Sequence, residues 1–335
     1  MKTRTQRTPY GSDSLWALVL AGGFGRRLES ITRALYGKPV PKQFCRLGGS
    51  RSLLQDTVGR LGPRVPLERT VVVADASLAH LARQQVGTRG ASVIGQPSDR
   101  GTAPGVLLPL MHILLEDPEA TVVVTPSDHA IADEVCFQEG VGLVAGVVER
   151  EEDQIVLFGV EADTPRTDYG WIVPGESLGY GHNGTLRRVK RFTEKPRLER
   201  ARALLASGAL WNTFVMVGKG KTFLDLYRRR LPEIARFFDT FARMDADRRG
   251  AWLATNYHEV PRASFSRDLL QTAPNLSVYT WPASLAWTDV GTPDRLFEWL
   301  DTRGQMDWLV DQLRRRGAYD VIEDHADLAS VAAAV

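Results

Sequence analysis

The chain has 335 residues, 43% of them apolar and 24% charged, a make-up too apolar for a largely disordered protein. Its 42 Lys+Arg stand against 40 Asp+Glu, and a net charge of +2 gives no sign of a surface built for nucleic acid. With Cys45 and Cys136 as the only cysteines, a disulfide framework and a cysteine-based zinc site are both excluded.

In chain order, Met1–Ser14 is basic and polar without an apolar h-region, so it reads as a flexible N-terminus and not as a secretory signal. Leu15–Ala21 is a continuous apolar run ending in Gly22-Gly23, the pattern of a buried parallel strand that opens into a loop. Ser52–Leu61 reads as a helix, Thr70–Ala74 as a strand, Ser77–Gln85 and Pro104–Leu115 as helices. Thr121–Thr125 is a third apolar strand, Phe137–Arg150 a helix, and Ile155–Val160 a fourth strand. From about Asp163 to Val217 glycine, proline and aromatics become dense. This stretch reads as an elaboration over the sheet's carboxyl edge, containing a half-solvated basic strand at Leu186–Phe192 and a helix at Leu198–Ser207. Lys221–Arg230, Arg228–Trp252 and Thr292–Arg316 are helical, Leu276–Trp281 is a fifth strand, and Ala329–Val335 is an alanine-rich, frayed end. Alternating strands and helices predict a largely parallel sheet covered on both faces. No apolar run is long enough to span a bilayer, and no internal repeat is visible. A soluble, cytoplasmic enzyme is the expectation.

The sharpest local feature is Leu20-Ala21-Gly22-Gly23-Phe24-Gly25-Arg26-Arg27-Leu28. Glycines let backbone N–H groups approach an anion, and arginine supplies a fixed fork of donors for phosphate oxygens. A plain glycine turn with solvent-facing arginines would read the same way in isolation. A dinucleotide fingerprint fails because its third glycine position is Leu28. A P-loop fails because Gly37-Lys38 is followed by Pro39, which has neither hydroxyl nor N–H. Further on, Pro39-Val40-Pro41-Lys42-Gln43-Phe44 stiffens the backbone before a single lysine, a device suited to a polyphosphate or simply a surface turn.

Taken together, these pieces resemble the sugar-1-phosphate nucleotidyltransferases, whose opening signature is G-G-x-G-x-R-L followed by P-K. The P-K-Q-F form is similar to the mannose-1-phosphate guanylyltransferase branch. Gln96-Pro97-Ser98-Asp99-Arg100-Gly101-Thr102-Ala103-Pro104 resembles its E-P-x-x-R-N-T-A-P, and Pro126-Ser127-Asp128-His129 its P-A-D-H. Phe158-Gly159-Val160 with Thr167-Asp168-Tyr169-Gly170-Trp171-Ile172 resembles F-G-I and T-x-Y-G-Y-I. Phe192-Thr193-Glu194-Lys195-Pro196, Trp211-Asn212 and Trp287-Thr288-Asp289-Val290-Gly291 match the F-x-E-K-P, W-N and W-x-D-V-G boxes. The likeness covers roughly residues 15 to 300. Gly101 and Gln96 depart from it, standing where the guanylyltransferases have Asn and Glu. Gln is closer to the thymidylyl and uridylyl branches.

The resemblance implies a Rossmann-like (GT-A-like) α/β three-layer sandwich with a mixed, mainly parallel sheet and no β-helix domain. It divides the chain into a catalytic domain over 15–300, with a sugar-binding elaboration at about 163–217, and a C-terminal helical tail over 301–335, too short for an appended isomerase domain. It implies transfer of a nucleotidyl group from GTP to mannose-1-phosphate, giving GDP-mannose and pyrophosphate, with Mg2+ as cofactor. Arg27 and Lys42 would be catalytic, holding the triphosphate. Ala21, Gly22, Gly23, Gly25, Gln96, Arg100, Gly101 and Thr102 would bind the nucleotide. Gly170, Glu194, Lys195 and Asn212 would bind the sugar phosphate, and Asp128 and Asp289 the metal. His129 would be structural. The partners implied are these small molecules, with no nucleic acid and no membrane, and a homodimer left open. Two other functions stay open: a thymidylyl- or uridylyltransferase acting on glucose-1-phosphate, and a catalytically silent regulator that binds a nucleotide-sugar.

Overall fold

The computed structural model describes residues 14–181 and 184–325. The flexible segment foreseen at Met1–Ser14 and the frayed end at Ala329–Val335 fall outside them, apart from Ser14. Eleven strands are present among the described residues: β1 (Leu15–Leu20), β2 (Thr70–Asp75), β3 (Ser92–Gln96), β4 (Thr121–Pro126), β5 (Ala130–Ile131), β6 (Ile155–Glu161), β7 (Gly170–Gly181), β8 (Gly184–Glu194), β9 (Leu210–Lys219), β10 (Leu276–Thr280) and β11 (Trp287–Thr288). The helices are α1 (Glu29–Tyr36), α2 (Leu53–Leu61), α3 (Ala79–Gln85), α4 (Thr102–Glu116), α5 (Glu134–Val148), α6 (Leu198–Ala206), α7 (Gly220–Arg230), α8 (Pro232–Arg243), α9 (Ala246–Asn256), α10 (Pro293–Thr302), α11 (Met306–Arg315) and α12 (Tyr319–Glu323).

Nine strands form one sheet in the order β3-β2-β1-β4-β9-β6-β10-β8-β7. β8 and β9 run against the other seven, so the sheet is mixed and mainly parallel. The segment over 163–217 is therefore not laid over the sheet, as its composition suggests. It supplies β7, β8 and β9, and β9 sits between β4 and β6 at the sheet's centre. The reason is visible in Leu210–Lys219, which is buried along almost its whole length.

β1 shows why the sheet is covered twice. Leu15, Ala17 and Val19 point into one apolar core, with α2, α3 and α5. Trp16 and Leu18 point into a second, with α4, α7 and α8. The alternation is the two-residue period of a strand. A third core joins α1 to α10, α11 and α12 through Leu28, Ile31, Leu35, Leu296, Leu309 and Ile322. No helix among the described residues is long and apolar enough to cross a membrane.

Candidate active site

Strands β1, β2, β3 and β4 run in parallel, so their carboxyl ends share one edge, the usual position for a ligand in such sheets. A cleft of about 590 Å³ opens there. Gly22, Gly23 and Arg27 line it after β1, Gln96, Gly101 and Thr102 after β3, and Asp128 after β4. Gly170, Glu194, Lys195 and Asn212 close it from β7, β8 and β9, and Asp289 from the end of β11. Ala21, Gly25, Lys42 and Arg100 are not among its lining residues.

The ribbon β5–β11 brings the two aspartates together. Thr288 lies opposite Ala130, so Asp128 and Asp289 flank the same end of an antiparallel pair. Lys42 then ties them from behind. It is 7% exposed, pairs with Asp128 at 3.2 Å, donates to the Val290 carbonyl at 3.0 Å and also donates to the Asp289 carbonyl. Two carbonyls converge on one ammonium, and Val290, which bears one of them, is held at φ 45, a strained conformation for a β-branched residue. Lys42 thus differs from the expectation of a lysine open to the triphosphate: the 3-10 turn Lys42–Phe44 folds it inward as a brace. Gln43 in the same turn donates to the carbonyls of Ala21 at 2.9 Å and Gly23 at 2.6 Å, fixing the glycine loop.

Arg27 is exposed and pairs with Asp168 at 3.0 Å. Asp168 also accepts from Arg295 Nη2 at 2.9 and 2.8 Å, while Arg295 Nη1 donates to both oxygens of Asp289 at 2.9 Å. Tyr169 donates its hydroxyl to Asp289 at 2.9 Å and lies 4.6 Å under the Arg295 guanidinium. Burial pushes the Asp289 carboxyl up, but Lys42 and Arg295 and the hydrogen bond from Tyr169 outweigh it, and the group stays below its ordinary value. Asp168 is likewise held low, burial being outweighed by Arg295 and Arg27. His129 accepts from Trp287 Nε1 at 3.2 Å, and burial pushes it down, which favours the neutral ring.

On the other wall, Gly170 leaves room that a side chain would take from Glu194 and Asn212. A Cβ there would lie 2.9 Å from Glu194 Oε2 and 3.3 Å from Asn212 Cβ. Asn212 accepts from the Phe214 N–H at 3.2 Å through Oδ1, which leaves its amide NH2 as the end for a ligand. Burial pushes the Glu194 carboxyl up, against Lys195 and Ser266. Lys195, at φ 45, is exposed, and no carboxylate lies within ion-pair distance of it among the described residues.

A model of the nucleotidyl transferase family matches residues 16–304. The chain belongs to that family. Among curated relatives, the xanthan biosynthesis protein XanB of Xanthomonas campestris is 30% identical over 303 residues, covering 86% of this chain and 60% of its own length. The mannose-1-phosphate guanylyltransferase of Escherichia coli K12 is 31% identical over 300 residues, covering 85% and 59%. The chain thus spans about 60% of the length of these relatives. A crystal structure described as mannose-1-phosphate geranyltransferase from Thermus thermophilus superposes with a TM-score of 0.70 at 29% identity, over 83% of this chain and 76% of that one.

Within a nucleotidyl transferase, the donor set at the ribbon fits one hard divalent cation. Magnesium takes one or two carboxylates plus phosphates and water. Asp128 lines the cleft with 29% of its side chain exposed. Asp289 is more crowded: Oδ1 accepts from Tyr169, Gly291 and Arg295, leaving Oδ2 with Arg295 alone. Arg295, Asp168 and Tyr169 carry no role in the sequence reading, yet a signal exists. Arg295 stands in the first turn of α10, after Thr292 and Pro293, where the helix dipole favours acids. A cation buried there breaks a local rule, which is a mark of a functional position.

Proposed function

We propose that this nucleotidyl transferase moves a nucleotidyl group from GTP to mannose-1-phosphate, releasing pyrophosphate and GDP-mannose, with Mg2+ as cofactor. The observation that carries the reading is the convergence of Arg27, Lys195, Asp128 and Asp289 on one cleft with a glycine loop at its floor. The choice of guanine and mannose rests on the names of the relatives.

In this reaction an oxygen of the sugar phosphate forms a bond to the α-phosphorus as the bond from that phosphorus to the bridging oxygen of pyrophosphate breaks. The nucleophile is already ionised near pH 7, so no general base is needed. Repulsion between two anions is the main barrier, and fixed positive charge is the remedy. Arg27, released from the exposed Asp168 pair, reaches the β- and γ-phosphates beside the Gly22–Gly23 backbone. Lys195 meets the sugar phosphate, and Glu194 and Asn212 hold sugar hydroxyls. Lys42 keeps Asp128 and Asp289 in place. When bound by those two carboxylates, Mg2+ supplies charge for the phosphates and helps to align them.

The test is pyrophosphate release from a panel of GTP, dTTP, UTP, CTP and ATP with mannose-1-phosphate or glucose-1-phosphate, with and without Mg2+. The expected result is release with GTP and mannose-1-phosphate only when the metal is present. Release confined to dTTP or UTP with glucose-1-phosphate would move the assignment to the thymidylyl or uridylyl branch, where Gln96 at the cleft wall belongs. No release from any pair would overturn it.

A further inference from the structure

A second cavity, of about 660 Å³, lies beside the β5–β11 ribbon and shares no lining residue with the catalytic cleft. Its floor holds Arg60 of α2, which is 3% exposed. No carboxylate lies within 4.0 Å of this guanidinium among the described residues, and its Nε has no hydrogen-bond partner. Its contacts are the His129 carbonyl, 3.3 Å from Nη1, and the Phe137 ring at 5.8 Å. Burial pushes the guanidinium down to about 10, with Glu134 and Asp56 pulling the other way from beyond ion-pair distance. A buried charge without a counter-ion is costly, so an occupant that supplies one is stabilised.

The carboxylates on the cavity wall are already engaged. Asp56 pairs with Arg51 at 2.8 Å, Glu134 lies 3.9 Å from the same arginine, and Asp133 caps α5 by accepting from the Cys136 N–H at 2.9 Å. Arg303, at the mouth, stacks 5.1 Å over Trp299 and has no carboxylate partner among the described residues. Arg60 and Arg303 are therefore the two cations of the lining with no carboxylate within ion-pair distance among the described residues, in a cavity of about 660 Å³.

We propose that this cavity is a second ligand site, separate from the catalytic cleft, for a small phosphate monoester whose dianion is matched by Arg60 and Arg303. Guanidinium forks suit tetrahedral phosphate oxygens, and such bonds are the strong charge-assisted kind. Because Arg60 also donates to the carbonyl beside Asp128, an occupant of the cavity would touch a residue hydrogen-bonded to the segment that carries Asp128.

The experiment is calorimetric titration of the full chain with glucose 6-phosphate, and with citrate as a carboxylate control. The variants are Arg303→Glu, an exposed change that leaves the fold alone, Arg60→Gln, and Lys195→Ala, which disables the sugar-phosphate end of the cleft. The expected result is saturable ester binding that persists in Lys195→Ala and weakens by about tenfold or more in Arg303→Glu, with Arg60→Gln agreeing wherever it folds. Absence of saturable binding overturns the proposal. So does binding that Lys195→Ala removes while Arg303→Glu leaves it, which places the ester in the cleft, or citrate binding as tightly as the ester.

Discussion

Arg295 stands behind the cleft, outside every motif, and holds two of its carboxylates. Its side chain is 7% exposed and its fork joins Asp168 to Asp289, the second of which is 14% exposed. Removing one partner of a buried pair leaves the other charge uncompensated and costs about 3 kcal/mol. Arg295→Ala should therefore lower unfolding stability by that order, measured by urea titration, and Arg295→Lys should recover only part of it, because an ammonium cannot bridge two carboxylates in a plane. Full stability in Arg295→Ala would mean that the bridge contributes nothing. Gly101 is the complementary case. Its departure from the family pattern suggests a difference in base recognition, but the backbone gives a steric reason. It sits at φ 85, and a Cβ would lie 2.4 Å from the Ala263 carbonyl oxygen, in the loop whose Phe265 N–H donates to Thr102 at 2.8 Å. Gly101→Asn should cost about 1–3 kcal/mol in thermal unfolding without any change of substrate choice. An unchanged melting temperature would show that the loop moves freely. The boxes bring most of the site residues into view in the sequence. They miss Arg295 because its role comes from two carboxylates 6 and 127 positions away in the chain.

Legibility at the level of elements follows burial. β1, β2, β4, β6 and β10 are apolar runs buried on both faces and stand out in the sequence. β3 is an edge strand, half exposed and ending in Gly95-Gln96, so its apolar signal is weak. β9 is strongly apolar but is masked by the glycine- and aromatic-rich stretch before it, and α1 is masked by the glycine loop. Helix α5 shows how closely an element can be fitted to its neighbours. Gly140 faces Trp281, whose Nε1 would lie 2.4 Å from an added Cβ, with Tyr279 at 3.1 Å. Trp281 in turn stacks between Phe137 at 5.3 Å and Phe158 at 4.2 Å. An alanine gains helix propensity on the order of 1 kcal/mol, but overpacking costs about 1–3 kcal/mol. Gly140→Ala should be net destabilising, with a changed near-UV signal from Trp281. A gain in stability would show that α5 has room to retreat.

Three cores hold the described residues together, and the third is the one that composition does not announce. It forms where α10, α11 and α12 return to cover α1 and the loop carrying Cys45, directly behind the glycine loop. Cys45 reports on its closure. Burial pushes this thiol up to about 12, with the Tyr36 hydroxyl pulling the other way. An unfolded thiol ionises near about 8.5, so the folded state keeps a proton that the unfolded chain gives up. The stability tied to this group is complete below that pH. It falls by roughly 1.4 kcal/mol per pH unit as the pH climbs from there toward 12. Since the thiolate is the reactive form, alkylation of Cys45 at pH 8.5 should be slower than in a peptide by on the order of a thousandfold. A chain ended at Gly304 lacks α11 and α12, and there Cys45 should react near the peptide rate. Cys136, which burial, Asp133 and Glu139 push up to about 11, lies in the first core and should stay slow in both chains. Fast labelling of both thiols in the shortened chain would instead mean that the cores unfold together. Slow labelling of both would mean that α11 and α12 do not close the third core.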